Sequence, residues 1–216
     1  MNENLAVATT SNPISPILMS ELTIDEVLEA LRHFECQQNP EELARMLEIV
    51  NGKTSLLEIG SNFGGTLKRM AEVLAPKSKV VSVDLPEPMH KLCDPLVSLK
   101  ANCQKIANMG HNVKLFTGDS HNPIVIDLVK KEGPFDFCFI DGDHSYEGVK
   151  KDWQDYGPLA KIVGFHDICG MTDGCVRFWK ELKDEQPYRM VEINYPRQFE
   201  TKNGWMHLGI GIVFRE

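Results

Sequence analysis

Leu57-Glu58-Ile59-Gly60-Ser61-Asn62-Phe63-Gly64-Gly65 is the stretch on which the fold turns. An apolar run, Ser55–Ile59, stops at a glycine, and two further glycines lead into the helical pattern Thr66–Leu74. Glycine lets the backbone turn tightly and come close to a ligand, and the amino end of the following helix can receive a carboxylate. A dinucleotide site would carry G-x-G-x-x-G, whose glycines admit a pyrophosphate. Here the middle position is Asn62, in Gly60-x-Asn62-x-x-Gly65, and an acid, Glu58, stands just before the turn. An acid there suits a ligand carrying an ammonium group better than one carrying phosphates. Taken alone, the turn also fits a strand-to-helix connection whose glycines serve packing only.

Working outward, strand-like runs recur at Lys79–Asp84, Val113–Thr117, Phe135–Ile140, Ile162–His166, Tyr188–Asn194 and His207–Phe214. Helical patterns fall between the earlier runs: Pro95–Met109, Pro123–Lys131, Tyr146–Tyr156 and Cys175–Lys183. Strands separated by helices predict crossovers and a mainly parallel, doubly wound α/β sheet. The connection Tyr195–Met206 shows no helix, so the seventh strand is expected to enter antiparallel. Two amphipathic helices precede the sheet. Thr23 and Glu26 form a capping box before Ile24, Val27, Leu28, Leu31 and Phe34. Asn39, Pro40 and Glu42 open a second helix with Leu43, Met46, Leu47 and Val50 on one face, ended by Asn51-Gly52. The expected organisation is a loose polar arm over 1–20, N-terminal helices over 21–52 and a Rossmann-like domain over 53–216.

Composition narrows the function. Acidic residues outnumber basic ones 31 to 23, giving a net charge of −8, and no basic stripe offers itself to phosphates. This argues against nucleic acid and for a small acceptor. No apolar run reaches membrane-spanning length and Met1–Ser20 lacks a signal pattern, so no membrane association is expected. The six cysteines, Cys36, Cys93, Cys103, Cys138, Cys169 and Cys175, form no C-x-x-C pair. They read as free thiols, and the chain is expected to be cytoplasmic. Pairing of chains through the exposed faces of the first two helices, as a homo-oligomer, is left open.

The strand ends carry the polar residues. Asp84 closes the second strand, where a carboxylate can accept from both ribose hydroxyls of a nucleoside. Gly118-Asp119-Ser120 follows the third, where Asp119 can accept from an adenine amino group with Ser120 beside it. With the acid-and-glycine loop, these make three successive strand ends in order. At this point the chain resembles the class I S-adenosylmethionine-dependent methyltransferases, from about residue 54 onward. The resemblance implies a seven-stranded sheet with an antiparallel last strand. It places Glu58, Gly60, Ser61, Asn62 and Gly64 at the methionine end of the cofactor, Asp84 on the ribose, and Asp119 with Ser120 at the adenine. The alternatives are a nicotinamide oxidoreductase, disfavoured by Asn62 and Glu58, and a cofactor-binding scaffold without turnover.

The fourth and fifth strands end in Asp141-Gly142-Asp143-His144 and His166-Asp167. Carboxylates at adjacent strand ends can share a hard cation such as Mg²⁺. His166 as a third ligand leans toward a transition metal. These residues resemble those of the catechol O-methyltransferase-like enzymes and of the cephalosporin-hydroxylase and macrolide-sugar O-methyltransferase group. That resemblance implies Asp141 and Asp167 as ligands of a divalent cation and His144, three residues past Asp141, as a base. His166 departs from the pattern, which would place an acid there. The expected reaction is metal-assisted O-methylation of a hydroxyl on a small molecule or sugar. Beside a bound cation, the His144 pKa should be lowered.

Overall fold

A computed structural model describes residues 38–85, 94–170, 173–185, 187–195, 199–201, 204–206 and 208–215. The arm expected over 1–20 and the helix around Ile24–Phe34 lie outside these residues. The first described element is α1 (Pro40–Val50). Asn39 caps it, its side-chain oxygen accepting from the amides of Glu41 at 2.9 Å and Glu42 at 3.4 Å. Pro40 sits at the first helical position, where the missing N–H would have no partner anyway.

The chain then alternates β1 (Ser55–Ile59), α2 (Gly65–Glu72), β2 (Lys79–Asp84), α3 (Pro95–Asn108), β3 (Asn112–Thr117) and α4 (Pro123–Lys130). It continues with β4 (Phe135–Ile140), α5 (Tyr146–Tyr156), β5 (Ala160–His166), α6 (Asp173–Glu185) and β6 (Arg189–Ile193), and ends in β7 (Phe199–Thr201), β8 (Gly204–Met206) and β9 (Ile210–Phe214). A 3₁₀ turn at Gly157–Leu159 joins α5 directly to β5, so that strand starts at Ala160, ahead of the apolar run expected from Ile162.

Seven strands form one sheet in the order β3-β2-β1-β4-β5-β9-β6, and β9 runs antiparallel to both neighbours. The seven strands and the antiparallel last one match the expectation. The connection expected to be free of helix holds a short hairpin, β7 paired with β8.

Alternation along each strand divides the core between two layers. Leu57, Ile59, Val81, Val83, Cys138 and Ile140 pack with Val125, Val129, Val149, Tyr156, Phe178 and Trp179 of α4, α5 and α6. On the opposite face Leu56, Val80, Phe137 and Phe139 pack with Met46, Val50, Leu67, Met70, Leu99 and Ile106 of α1, α2 and α3. Fully burying each large apolar side chain stabilises the fold by about 1.5–3 kcal/mol, so both layers fix the strand ends firmly. Cys138 is fully buried and its thiol is pushed well up by burial, as suits a small hydrophobe. Among the described residues no helix is long and apolar enough to cross a membrane. The strand order reverses between β1 and β4, and a crevice opens there beyond the carboxyl ends.

Candidate active site

The crevice is built first from backbone. Gly60 N–H donates to Val83 O at 2.9 Å and Asp141 N–H to Ile59 O at 2.8 Å, which locks the ends of β2, β1 and β4 together. Gly60 has a φ of 83°, and a Cβ there would stand 2.2 Å from the Asp141 carbonyl oxygen, so only glycine fits. Gly64, with φ of 79°, caps α2 without any side-chain acceptor of its own. Asn62 also takes a left-handed backbone, and its N–H donates to Asp84 Oδ2 at 2.6 Å. The glycine loop is thereby tied to the acid expected on the ribose. Burial lifts the Asp84 carboxyl to about 6, against the lowering effect of the Asn62 and Ser61 amides.

Glu58 is 1% exposed, and its Oε2 has no hydrogen-bond partner in the protein. Burial, with the Asp141 and Asp84 charges adding to it, lifts the Glu58 carboxyl to about 8, although the Ser61 side chain works the other way. A buried acid without a cation is costly unless a ligand supplies the opposite charge. Ser61 Oγ lies 2.7 Å from Ser82 Oγ, so its hydroxyl faces β2. At the far end of the crevice Asp119 is an exposed turn residue that accepts from His121 N–H at 2.8 Å. Ser120 turns its hydroxyl inward, donating to Asp152 Oδ1 at 2.9 Å, while Tyr156 donates to its carbonyl at 2.5 Å. The Ser120 side chain therefore anchors the loop that presents Asp119.

The second half of the site is a closed ring of charge. His166 Nδ1 lies 3.1 Å from Asp141 Oδ1 and 3.3 Å from Asp167 Oδ1. His144 Nε2 lies 3.3 Å from Asp141 Oδ1, and its Nδ1 lies 3.2 Å from Asp167 Oδ2. All four residues expected at the chemical end are thus in mutual contact. Burial would push His166 down, but Asp141 first and Asp167 next outweigh it and lift its pKa to about 9. Burial likewise opposes the two histidines at Asp141, which hold that carboxyl down at about 2. His144 is raised by its bond to Asp141 and by the charge of Asp167. The lowering expected beside a cation is therefore not what the protein imposes alone, because the facing groups are carboxylates. Asp167 sits at a φ of 57°, an uncommon backbone for a non-glycine residue and typical of a functional corner.

Among the described residues, no group of three or more His, Cys, Asp or Glu side chains is arranged to hold a metal ion. The donor types nevertheless suit a divalent cation. Two carboxylates with an imidazole fit a transition ion better than Mg²⁺, which prefers oxygen throughout.

Three further residues escape sequence reasoning. Gln38 donates from Nε2 to Asp141 Oδ2 at 3.2 Å. Glu42, expected to serve the start of α1, is instead buried and accepts from the amides of Tyr195 at 3.0 Å and Gly209 at 3.2 Å. Asp152 is fully buried and holds Ser120 and, at 3.1 Å, His121 Nε2. Glu42 and Asp152 lie on helices whose polar residues otherwise read as solvent-facing. Gln38 has no local signal beyond the cap at Asn39 beside it.

A buried acid and glycine loop at the end of β1, an acid closing β2 and a Gly-Asp turn after β3 are the strand-end features of a class I S-adenosylmethionine-dependent methyltransferase. The sequence pattern of a family described as a methyltransferase domain matches residues 57–168, and the chain belongs to that family. No curated protein matches it in sequence. Its fold is similar to the O-methyltransferase from Bacillus cereus solved in complex with SAH: TM-score 0.61, 19% identity, covering 88% of this chain and 89% of that one. It is also similar to the O-methyltransferase TomG from Streptomyces achromogenes, involved in tomaymycin synthesis and solved with SAM. There the TM-score is 0.62, the identity 15%, and the coverage 88% of each chain.

Proposed function

We propose that this protein transfers a methyl group from S-adenosylmethionine to a hydroxyl oxygen of a small molecule or sugar. Asp141, Asp167 and His166 would hold a divalent cation, and His144 would serve as the base. The observation that carries this reading is the place of Asp141. It lines the same small cavity as Gly60, Ser61 and Asn62 and belongs to the histidine–carboxylate ring. Methyl source and acceptor would therefore meet across one residue. The solved O-methyltransferases of similar fold add support to oxygen as the acceptor atom.

Transfer requires an acceptor oxygen aligned behind the sulfonium methyl and relieved of its proton. Glu58, buried with its Oε2 lacking a partner in the protein, would neutralise the cofactor's ammonium. Asp84 would accept from the ribose, and the glycine loop would admit the methionine chain without side-chain clash. When bound, a divalent cation lowers the pKa of an acceptor hydroxyl and draws carboxylate charge away from the imidazoles. His144 is the more exposed of the two histidines, its side chain 41% accessible, and would take a proton from a bound acceptor through a ring nitrogen released from its carboxylate contact. His166 is buried against Phe139, which suits a fixed ligand rather than the base.

The test is incubation with labelled S-adenosylmethionine, Mg²⁺ or Mn²⁺, and a panel of sugars and phenols, with products analysed for O-methyl groups. Methylated ether products support the reading. Binding of S-adenosylhomocysteine without any methyl transfer across the panel would favour the scaffold alternative.

A further inference from the structure

Gln38 stands immediately before the cap of α1, yet it is only 4% exposed. Its Nε2 donates to Asp141 Oδ2. A carboxylate at neutral pH only accepts, so the amide must present its nitrogen to Asp141 and turn its carbonyl oxygen elsewhere. That oxygen, Oε1, is buried and has no hydrogen-bond partner in the protein. A buried amide carbonyl left unpaired costs stability, and such a group in a site calls for an explanation.

The surroundings supply one. Gln38 lines a cavity of about 30 Å³ together with Gly60, Ser61, Asn62, Thr66 and Asp141. The cavity is polar, and its size admits a small charged group rather than a whole nucleoside. Its two sides differ in sign. Gly65 and Thr66 belong to the first turn of α2, whose amides and dipole favour a carboxylate. Gln38 Oε1 and Asp141 offer acceptors on the other side, and Glu58 Oε2 is a further buried acceptor without a partner. An amino-acid zwitterion has one orientation in such a space: carboxylate toward α2, ammonium toward Gln38.

We propose that Gln38 is a cofactor-positioning residue, holding Asp141 through its amide nitrogen and accepting a hydrogen bond from the cofactor's ammonium group through its carbonyl oxygen. This rests on S-adenosylmethionine as the cofactor. It makes Gln38 part of the site and couples occupancy of the methionine end to the carboxylate at the reaction centre.

The experiment compares two ligands that share the adenosine but differ at the methionine end: S-adenosylhomocysteine and 5′-methylthioadenosine, which has no ammonium. Calorimetry is run on the unchanged protein and on Gln38→Leu and Gln38→Met, the latter of nearly the same shape. Thermal melts establish that each variant is folded. S-adenosylhomocysteine should bind either variant roughly 10–100-fold more weakly, the loss expected for a hydrogen bond to a charged group. Binding of 5′-methylthioadenosine should change less than about threefold. Equal losses for both ligands, or no loss for S-adenosylhomocysteine, would overturn the assignment and leave Gln38 a packing residue. Failure of the unchanged protein to bind either ligand would strike the proposed function itself, and this inference with it.

Discussion

Asp141 and His166, which close β4 and β5, meet at 3.1 Å between Oδ1 and Nδ1. Each offsets the charge of the other, so the carboxylates at this end of the sheet do not depend on a metal for their neutralisation. Chelation should therefore leave the fold and S-adenosylhomocysteine affinity nearly unchanged, while abolishing the turnover that the proposed cation would support. Activity assays and calorimetry with and without chelator check this. Full activity in chelator would remove the cation from the proposed mechanism.

His144→Ala should lower the methyl-transfer rate by about 10²–10⁴-fold, the usual contribution of a positioned base. The base must be neutral to act, so activity should fall as pH drops through the His144 pKa. In the variant this acidic limb should flatten. Normal turnover with the limb intact would return His144 to a structural role.

Asp84→Ala should weaken cofactor binding by roughly 1.5–3 kcal/mol, by loss of a charge-assisted acceptor. Asn62 N–H also loses its partner, so the glycine loop should loosen. Calorimetry with S-adenosylhomocysteine and with NAD tests both the residue and the class. Tight NAD binding without S-adenosylhomocysteine binding would contradict the class.

Glu58 gives a prediction of opposite sign for stability and function. Its carboxyl moves from an ordinary 4.5 to about 8 on folding, so the native state holds the proton more tightly. Stability of the cofactor-free protein should then fall as pH rises from about 4.5 to about 8 and level off above. Glu58→Gln should remove that loss, stabilising the free protein at pH 8 by roughly 1–4 kcal/mol, while weakening S-adenosylhomocysteine binding. Urea melts across pH, with and without ligand, separate the two effects.

Glu42→Ala leaves the amides of Tyr195 and Gly209 without their acceptor. It should destabilise the fold by roughly 2–4 kcal/mol, about the cost of two partly buried unpaired donors. Glu42→Gln, which keeps one carbonyl acceptor, should lose less. Equal urea midpoints for Glu42→Ala and the unchanged protein would show that those amides find other partners.

Local pattern was enough to determine the alternation of β1 to β6 with helices, because a strand repeats every two residues and a helix every 3.6 whatever lies far away in the chain. The same holds for the residues at the strand ends. Glu58, Asp84, Asp119, Asp141 and Asp167 each stand at or within two residues of the end of a strand, a position legible from the apolar runs. Pairing over long sequence distance is different, since no local period encodes it. Only the tertiary structure decided that β9 enters between β5 and β6, and that His144 and His166 face the same two carboxylates. It alone brought Gln38 to Asp141, a contact spanning 103 positions. It also turned Glu42, a helix-start carboxylate by sequence, into a buried tie between two loops. The physical reason is common to the last three: a polar side chain takes its role from the groups that burial leaves beside it, and those come from elements distant in the chain.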